Sequence, residues 1–272
     1  MAPYDQSDRA DHPATGKRQR SATAEIVFLL IDNFSHLAFS CAIEPLRIAN
    51  RVAGQMLYHW RLASRDGVSA VCSNGAVTLV DMGLEPPGRI ERLIVASGDA
   101  VQQASTPDVL AYLRRERAAG TPIGAICSGA CVLASAGFLD GQAAAVHWEY
   151  HDVFAELFPR VRLVRGVFVA DAKFITAAGG TASADLMLHL IAGALGISTR
   201  QLERLFRHHL GTSPKRFINQ TRLTRARNLL VQTDQSITEV AVACGFTTPS
   251  TFSKVYRAHF GVSPVAQRST LR

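Results

Sequence analysis

The stretch Ile123-Gly-Ala-Ile-Cys-Ser-Gly-Ala-Cys-Val-Leu133 passes from a short apolar run to a helix-compatible run through small residues. The apolar run predicts a buried strand, and a sharp turn from a strand into a helix requires small neighbours, here Ser128 and Gly129. Cys127 stands at this turn, where a helix N-terminus favours a thiolate or a bound anion. The alternative is an inert buried cysteine. We adopt that interpretation for the other four cysteines, Cys41, Cys72, Cys131 and Cys244.

Strand and helix patterns alternate on both sides of this stretch. Residues 26–31 form an uninterrupted apolar run, as expected of a buried strand. Further strands are predicted at residues 60–63, 77–80, 93–96, 123–126, 144–147, 167–170 and 174–177, and helices at 37–52, 107–119, 130–136, 149–158 and 181–195. Strands alternating with helices predict an α/β domain, with a parallel sheet covered on both faces.

Composition and charge limit the class of protein. Hydrophobic residues make up 47% of the 272 residues and charged residues 19%, which excludes a disordered or collagen-like chain. There is no apolar run long enough to span a bilayer and no signal-peptide core, so we expect a cytoplasmic protein with no membrane partner. The net charge of +7 is uneven: residues 197–272 carry +9 and the first 196 residues −2. This asymmetry indicates a polyanionic partner, most simply nucleic acid, although a solvated basic surface is the alternative.

The basic region contains an internal repeat. The segment Leu202-Glu-Arg-Leu-Phe-Arg-His-His-Leu-Gly-Thr-Ser-Pro214 aligns with Phe252-Ser-Lys-Val-Tyr-Arg-Ala-His-Phe-Gly-Val-Ser-Pro264 at a constant offset of 50 residues. Both copies keep an apolar face and a basic face, and both end with the glycine and downstream proline that stop a helix. A short helix and a tight turn precede each copy, at residues 191–198 and 237–247, which predicts two helix-turn-helix units joined by an amphipathic helix at 217–230. Plain helical hairpins are the alternative.

This region resembles the DNA-binding domain of the AraC/XylS family of transcription factors. The matching residues are Leu195-Gly-Ile-Ser-Thr-Arg-Gln-Leu-Glu-Arg-Leu-Phe206, Ala226-Arg-Asn-Leu-Leu230 and residues 237–264. The family's domain usually opens with a linker and a separate scaffold helix, whereas here Leu186-Met-Leu-His-Leu-Ile191 runs directly into the first unit. Either one helix serves both domains or a segment is missing, so the first unit is expected to be shortened.

Several polar residues accompany Cys127 in the first domain. His147 follows a predicted strand, so it is expected at the carboxyl edge of the sheet, where ligands bind and where it could pair with Cys127. Glu149 could orient His147, but a surface position at the start of a helix is the preferred interpretation. Glu44 lies in an apolar helical stretch and needs a partner, for which the Cys127 thiol is one candidate. Gly98 ends another strand and could offer its backbone N–H to an anion.

The first domain resembles the DJ-1/PfpI branch of the class I glutamine amidotransferase-like superfamily. The matching segments are Ala42-Ile-Glu-Pro-Leu-Arg-Ile-Ala-Asn50, Ala125-Ile-Cys-Ser-Gly-Ala130, His147-Trp148 and Ala178-Gly-Gly-Thr-Ala-Ser-Ala-Asp-Leu-Met-Leu188. The resemblance implies a flavodoxin-like parallel-sheet sandwich with Cys127 at a nucleophile elbow, Glu44 in contact with it and His147 nearby. Joined to an AraC-type module, it resembles the GlxA-type regulators, which implies a pocket that binds a small, often nitrogenous, metabolite without turning it over.

The leading hypothesis is therefore a ligand-responsive transcription factor, with no catalysis, no cofactor and no metal. The expected domains are a tail at residues 1–24, a sensing domain at 25–193 and a DNA-binding domain at 194–272. The expected effector-site residues are Glu44, Gly98, Cys127, Ser128 and His147. The expected DNA-binding residues are Thr199, Arg200, Gln201, Arg204, Arg207, Ser250, Thr251, Lys254 and Arg257.

The competing hypothesis is a cysteine-dependent amidase or hydrolase that uses Cys127 and His147, with Glu44 as a further site residue. It requires a third group to orient His147, for which only Glu149 or Asp152 is at hand. Oxidation of Cys127 in a redox regulator is a third possibility. Under the leading hypothesis the expected partners are double-stranded DNA, a small-molecule effector, a second copy of the chain and RNA polymerase.

Overall fold

A six-stranded sheet forms the centre of the first two-thirds of the chain. The computed structural model describes residues 23–98, 104–171, 174–198, 214–233, 235–244 and 248–269, together with residues 200, 201, 204, 207, 208, 211, 212 and 246. The strands are β1 (Ala24–Leu30), β2 (Tyr58–Ala63), β3 (Ser69–Val71), β4 (Val77–Leu79), β5 (Arg92–Ser97), β6 (Ile123–Cys127), β7 (Ala143–Ala144), β8 (Arg162–Leu163), β9 (Phe168–Ala170) and β10 (Phe174–Ala177). The large sheet has the order β2-β1-β5-β6-β10-β9, and its pairs are parallel except β9 with β10.

Helices cover the sheet and form the C-terminal region. The longer helices with continuous bounds are α1 (His36–Ala53), α2 (Pro107–Ala118), α3 (Gly129–Ser135), α4 (His151–Leu157), α5 (Ala182–Leu195), α6 (Pro214–Gln232), α7 (Ile237–Ala243), α8 (Pro249–Phe260) and α9 (Pro264–Ser269), and a 3-10 turn spans Trp148–Tyr150. None of the described helices has the length and apolar character needed to cross a membrane.

Both faces of the sheet are buried, as the alternation of strands and helices predicts. On β1, Phe28 packs into one core with Leu46 of α1 and Leu186 of α5. Leu29 points to the opposite face and packs into a second core with Leu133 of α3. Successive side chains of a strand point to opposite faces, so an uninterrupted apolar strand supplies both cores at once. The predicted α/β class is confirmed.

The structure resolves the question at the junction between the two regions. Helix α5 continues without interruption from Ala182 to Leu195, where Gly196 ends it in the left-handed conformation, at a φ of 63°. Its first half, including Leu186 and Met187, packs against the sheet, and its last turn is the predicted first helix of the first helix-turn-helix unit. One helix therefore serves both segments, in agreement with the predicted helix at 181–195 and with the first of the two alternatives for the junction.

The C-terminal region has a core of its own. Leu223, Ala226 and Leu230 of α6 are buried against the aromatic rings of Phe252 and Tyr256 of α8. Helices α7 and α8 form the predicted second helix-turn-helix unit. In the first unit, residues 200, 201, 204, 207 and 208 are helical, whereas Leu202, Leu205, Phe206 and Leu210 of the repeat lie outside the described residues, as does the side chain of Ile218.

The prediction of a strand at 144–147 is only partly correct. Strand β7 stops at Ala144 and pairs with β8 in a separate two-stranded sheet, so His147 does not end a strand of the large sheet. Ala145 and Val146, which follow β7, are also buried, and the Ala145 N–H donates to the Thr176 hydroxyl at 2.8 Å. Similarly, the predicted strand at 77–80 pairs only with β3, in a hairpin outside the large sheet. The apolar residues at 144–146 are buried, whereas Val77 and Leu79 of β4 are exposed.

Candidate functional site

Cys127 occupies a strained turn between β6 and α3. Its φ of 60° lies in the left-handed region, which a non-glycine residue rarely adopts. The chain is packed tightly around it: a Cβ added to Gly129 would lie 2.5 Å from the Val95 carbonyl oxygen, and one added to Gly179 would lie 2.9 Å from Cys127 Sγ. Small residues are therefore required at this turn, and the predicted passage from strand to helix is confirmed.

Gly98 and Ser128 belong to the framework around this turn. The Ser128 hydroxyl is fully buried and donates to the Gly98 carbonyl oxygen at 2.6 Å, and the Tyr150 hydroxyl donates to the same oxygen at 3.1 Å. These two bonds hold the end of β5 against the elbow. Gly98 cannot carry a side chain, because its Cβ would overlap the Asn33 carbonyl oxygen.

A cavity of about 510 Å³ opens in front of Cys127. It brings Cys127, His147 and Gly98 together, as predicted, and adds Glu149, Trp148 and Tyr150. The remaining lining residues are Ser35, Leu37, Ser73, Asn74 and Gly180 from the α/β domain, and Leu229, Gln235, Thr238 and Glu239 from the helical domain. Of the predicted effector-site residues, Ser128 lies behind the elbow and Glu44 does not line the cavity.

Aromatic rings and a carboxylate surround His147. Its Nδ1 lies 3.4 Å from the Glu149 carboxylate, longer than a normal hydrogen bond, and its ring centroid is 5.8 Å from that of Trp148 and 6.3 Å from that of Tyr150. Glu149 is exposed in the first turn of the 3-10 helix, which is the preferred interpretation, and it also lies near His147, which is the alternative. Trp148 is 51% exposed, so one part of its surface is open to a ligand at this site.

Glu44 is not placed as predicted. Its carboxylate accepts hydrogen bonds from Arg47, at 2.9 Å from Nε and 2.6 Å from Nη2, instead of meeting the Cys127 thiol. The side chains of Glu44 and Arg47 are 46% and 48% exposed, and the hydrogen bond that Arg47 donates to Glu44 raises the pKa of Arg47. An ion pair one helical turn apart satisfies the carboxylate locally, so it needs no buried partner.

The other cysteines lie mostly in cores. The five cysteines, all of which the structure describes, form no disulfide; Cys72, Cys131 and Cys244 are buried, and Cys41 is half-buried. Burial raises the pKa of Cys131 to about 12, and the neighbouring Cys127 adds to this effect. Cys131 is therefore protonated and unreactive at neutral pH. Among the described residues, no three His, Cys, Asp or Glu side chains are grouped so that they could hold a metal ion.

The predicted DNA-binding residues of α8 lie on its exposed face. Ser250, Thr251, Lys254 and Arg257 are exposed, while Phe252 and Tyr256 on the opposite face are fully buried. Thr248 caps the helix by accepting a hydrogen bond from the Thr251 backbone N–H at 3.1 Å. The start of α8 is thereby fixed with its polar side chains outward.

The first unit is described in part. Arg200, Gln201, Arg204 and Arg207 are exposed, and Thr199 lies outside the described residues. Gln201 has a capping role that we did not predict: its side-chain oxygen accepts from the Ser198 N–H at 2.9 Å, and its own N–H donates to the Ser198 hydroxyl at 3.2 Å. The same reciprocal pattern joins Ser236 and Glu239 at the start of α7. This reciprocal arrangement is a capping box, and both capping boxes are visible in the sequence as Ser-x-x-Gln and Ser-x-x-Glu.

Sequence reasoning missed the contribution of the helical domain to the cavity. Gln235, Thr238 and Glu239 lie more than 100 residues from Cys127 in the sequence, and only tertiary packing brings them to it. It also missed Tyr150, whose hydroxyl supports Gly98, since a tyrosine in a helix-compatible run carries no local signal of such a bond.

Comparison with protein families divides the chain in two. The DJ-1/PfpI family matches residues 24–193, and a helix-turn-helix domain family matches residues 191–270. The two matched ranges overlap at residues 191–193, inside α5.

Similar proteins of known class match most of the chain. The HTH-type transcriptional regulator CdhR of Pseudomonas aeruginosa is 37% identical over an alignment that covers 90% of this chain and 91% of the relative. The HTH-type transcriptional regulator GlxA of Rhizobium meliloti is 31% identical, with 89% and 95% covered. The CdhR alignment spans 307 positions and this chain has 272 residues, so the relative has residues without a counterpart here.

Solved structures share the fold of the first domain. An AraC family transcriptional regulator from Pseudomonas putida superposes with a TM-score of 0.60 at 23% identity, covering 67% of this chain and 99% of that one. DJ-1beta of Drosophila melanogaster superposes with a TM-score of 0.56 at 20% identity, covering 70% and 98%.

Proposed function

Because the chain belongs to the DJ-1/PfpI family and to the HTH-type transcriptional regulators, we propose that it is a DNA-binding transcriptional regulator controlled by a small nitrogenous effector held at Cys127. The observation that carries this proposal is the joining of two parts by one helix. The strained cysteine of the first part faces a cavity that both parts line, and α8 presents exposed polar and basic side chains in the second part.

The DNA-binding part of the proposal depends on α8. The second helix of a helix-turn-helix unit lies in the major groove, and its N-terminal residues contact base edges. In α8 these are Ser250, Thr251 and Lys254, which are exposed, while Arg257 one turn later is suited to phosphates.

The first unit contributes in a similar way. Arg200 and Arg204, both exposed, take the corresponding base-contacting role, and Arg207 faces phosphates. The capping role of Gln201 restricts it to a smaller part in base contact, because its side-chain oxygen is already engaged by Ser198.

The lining of the cavity supports a nitrogenous effector. Aromatic rings at Trp148 and Tyr150 and carboxylates at Glu149 and Glu239 surround it, and no Lys or Arg is among the described residues of the lining. Ring faces and carboxylates both attract cations, whereas an anionic ligand would be repelled. A small amine or quaternary ammonium compound fits this environment.

Regulation follows from thermodynamic coupling between the two sites. An effector that binds one arrangement of the domains more tightly than another shifts the population toward it, and by reciprocity DNA changes the affinity for effector equally. We include in the proposal a homodimer that reads paired half-sites, and RNA polymerase as a further partner. The hydrolase alternative is disfavoured because the relatives that match most of the chain are transcriptional regulators.

Two binding measurements on the full chain test the proposal. Fluorescence anisotropy with a duplex selected from a random pool measures sequence-specific DNA binding, and a thermal-shift screen of small amines and quaternary ammonium compounds measures effector binding. We expect His147→Gln to abolish the rise in melting temperature caused by a compound found in the screen. His59 is an exposed histidine on β2, and His59→Gln should keep that rise. The proposal would be overturned if no duplex were selected, or if both histidine variants lost the thermal shift equally.

A further inference from the structure

The cavity in front of Cys127 is completed by the helical domain. Four of its lining residues, Leu229, Gln235, Thr238 and Glu239, come from the end of α6, the following loop and the start of α7. The α/β domain supplies the elbow and the aromatic wall, and the helical domain supplies the opposing wall. An effector seated there would touch both domains at once.

Each domain places a carboxylate on this cavity. Glu149 comes from the 3-10 turn of the α/β domain, and Glu239 from the first turn of α7. Hydrogen bonds from the Ser236 backbone and side chain lower the pKa of Glu239, so its carboxylate is charged at neutral pH. Two negative charges on one cavity repel each other, and a cation bound between them removes that repulsion.

Helix α7, which carries Glu239, packs tightly against α8, the helix proposed to contact DNA bases. On the buried face of α7, Val240 and Ala241 pack with Phe252 and Tyr256 of α8 in one closed core. A close-packed core transmits displacement instead of absorbing it. A contact that fixes Glu239 therefore also fixes the orientation of α8.

A buried arginine of the helical domain lies near a carboxylate of α5. Burial lowers the pKa of the Arg222 guanidinium of α6, and the Asp185 carboxylate of α5 opposes this effect. Arg222 also lies 5.6 Å over the Phe246 ring of the helical domain and donates to Asn219 at 3.2 Å. The helical domain thus places a buried positive charge near α5, in addition to its residues on the cavity.

We propose that the effector is a bridge between the domains, with its cationic group held between Glu149 of the α/β domain and the Thr238–Glu239 wall of the helical domain. This inference rests on the proposed function, which supplies the small cationic effector. It assigns Glu239 and Thr238 as effector-contacting residues of the DNA-binding domain. The effector is then coupled to DNA through α7 and α8, because α7 lines the cavity and packs in one core with α8.

Charged thiol reagents test whether Thr238 and Glu239 set the electrostatic potential at Cys127, and the test does not require the effector to be known. The probes are two methanethiosulfonates, one carrying a trimethylammonium group and the other a sulfonate. The Cys127 thiolate forms a disulfide with the reagent sulfur, and methanesulfinate leaves. Peptide mass spectrometry of the full chain measures the rate at Cys127, and Cys127→Ser identifies that adduct. The rate ratio of the cationic to the anionic probe reports the potential inside the cavity.

We expect Glu239→Gln and Glu149→Gln each to lower this ratio by about 3- to 10-fold, the effect of removing one nearby charge at intermediate dielectric. Glutamine also serves in a capping box, so α7 stays intact in Glu239→Gln. Glu85→Gln, an exposed carboxylate outside the lining, should leave the ratio unchanged. Thr238→Lys should lower it strongly, and Thr224→Lys, exposed on α6 outside the cavity, should not.

An unchanged ratio in Glu239→Gln and Thr238→Lys would overturn the bridge, whatever the result for Glu149→Gln. Absence of a Cys127 adduct with both probes would also overturn it, because the cavity would then be closed to a ligand of this size. The result does not depend on DNA or on an effector, so it separates this inference from the proposed function. If the bridge holds and no duplex is bound, the proposed function alone fails.

Discussion

At the scale of single residues, the conformation of Cys127 is the most demanding feature of the protein. A φ of 60° at a non-glycine residue costs on the order of 1–3 kcal/mol and persists only where the surroundings enforce it. The enforcing contacts are the close approach of Gly179 and the bond from Ser128 to Gly98. Strain at a cavity wall is typical of a functional position, and a residue with an ordinary packing role does not require it.

Gly179 provides a test of this packing. Gly179→Ala places a Cβ 2.9 Å from Cys127 at a φ of +85°, whereas Gly75→Ala places one in open space at a φ of +84°. Both variants bear the same backbone strain. The free energy of unfolding should therefore fall by about 1–3 kcal/mol more in Gly179→Ala, because of overpacking at the elbow. Urea unfolding of the two variants measures it. Equal losses in both would show that the elbow tolerates the added methyl group.

Asp66 is expected to make the stability of the protein depend on pH in the acid range. Hydrogen bonds from the Ser64 hydroxyl and from the backbone of Val68 and Ser69 lower its pKa from 3.8 to about 2. A carboxyl whose pKa is lower in the folded state stabilises the protein above pH 4 and loses that contribution as the pH falls from about 4 to 2. Asp66→Asn should therefore reduce the fall in the urea midpoint between pH 5 and 3. A variant with the same pH dependence as the parent chain would contradict this assignment.

At the scale of elements, α5 is the feature that distinguishes this chain. Its first half belongs to a core beneath the sheet, and its last turn leads into the first helix-turn-helix unit. The overlap of the two family matches at 191–193 falls within it. A helix holds its two ends in fixed relation, so the junction is stiff where a linker would be flexible.

Gly193 tests this junction. It lies in α5, and a Cβ added there would meet only open space, so Gly193→Ala should raise the free energy of unfolding by about 0.5–1 kcal/mol through the higher helix propensity of alanine. Gly193→Pro should lower it by about 3 kcal/mol because it breaks the helix. Thermal unfolding gives both values. If the proline variant were as stable as the parent chain, α5 would not be continuous at this point.

At the scale of the whole molecule, charge is divided between the domains. The last 76 residues carry +9 and the rest −2. An acidic sensing domain is repelled by DNA while the basic domain is attracted, so the charge distribution orients the molecule on a duplex.

The salt dependence of DNA binding measures this division. Each phosphate contact that is lost reduces the slope of log K against log salt by about 0.9, so Arg257→Gln should reduce it by about that amount without changing sequence preference. Arg114→Gln, exposed on α2 of the α/β domain, should leave the slope unchanged. Anisotropy titrations between about 50 and 200 mM salt give both slopes, and equal slopes for the two variants would contradict a phosphate contact at Arg257.

The sequence by itself determined the α/β class, the turn at Cys127, the second helix-turn-helix unit and the division of charge. These features depend on local patterns: apolar periodicity, small residues at a turn, glycine stops and residue counts. Only the tertiary structure decided that His147 follows a buried segment outside the large sheet and that Glu239 shares a cavity with Cys127. A side chain's partner depends on which segments fold against each other, and a linear pattern carries no record of contacts between positions so far apart in the chain.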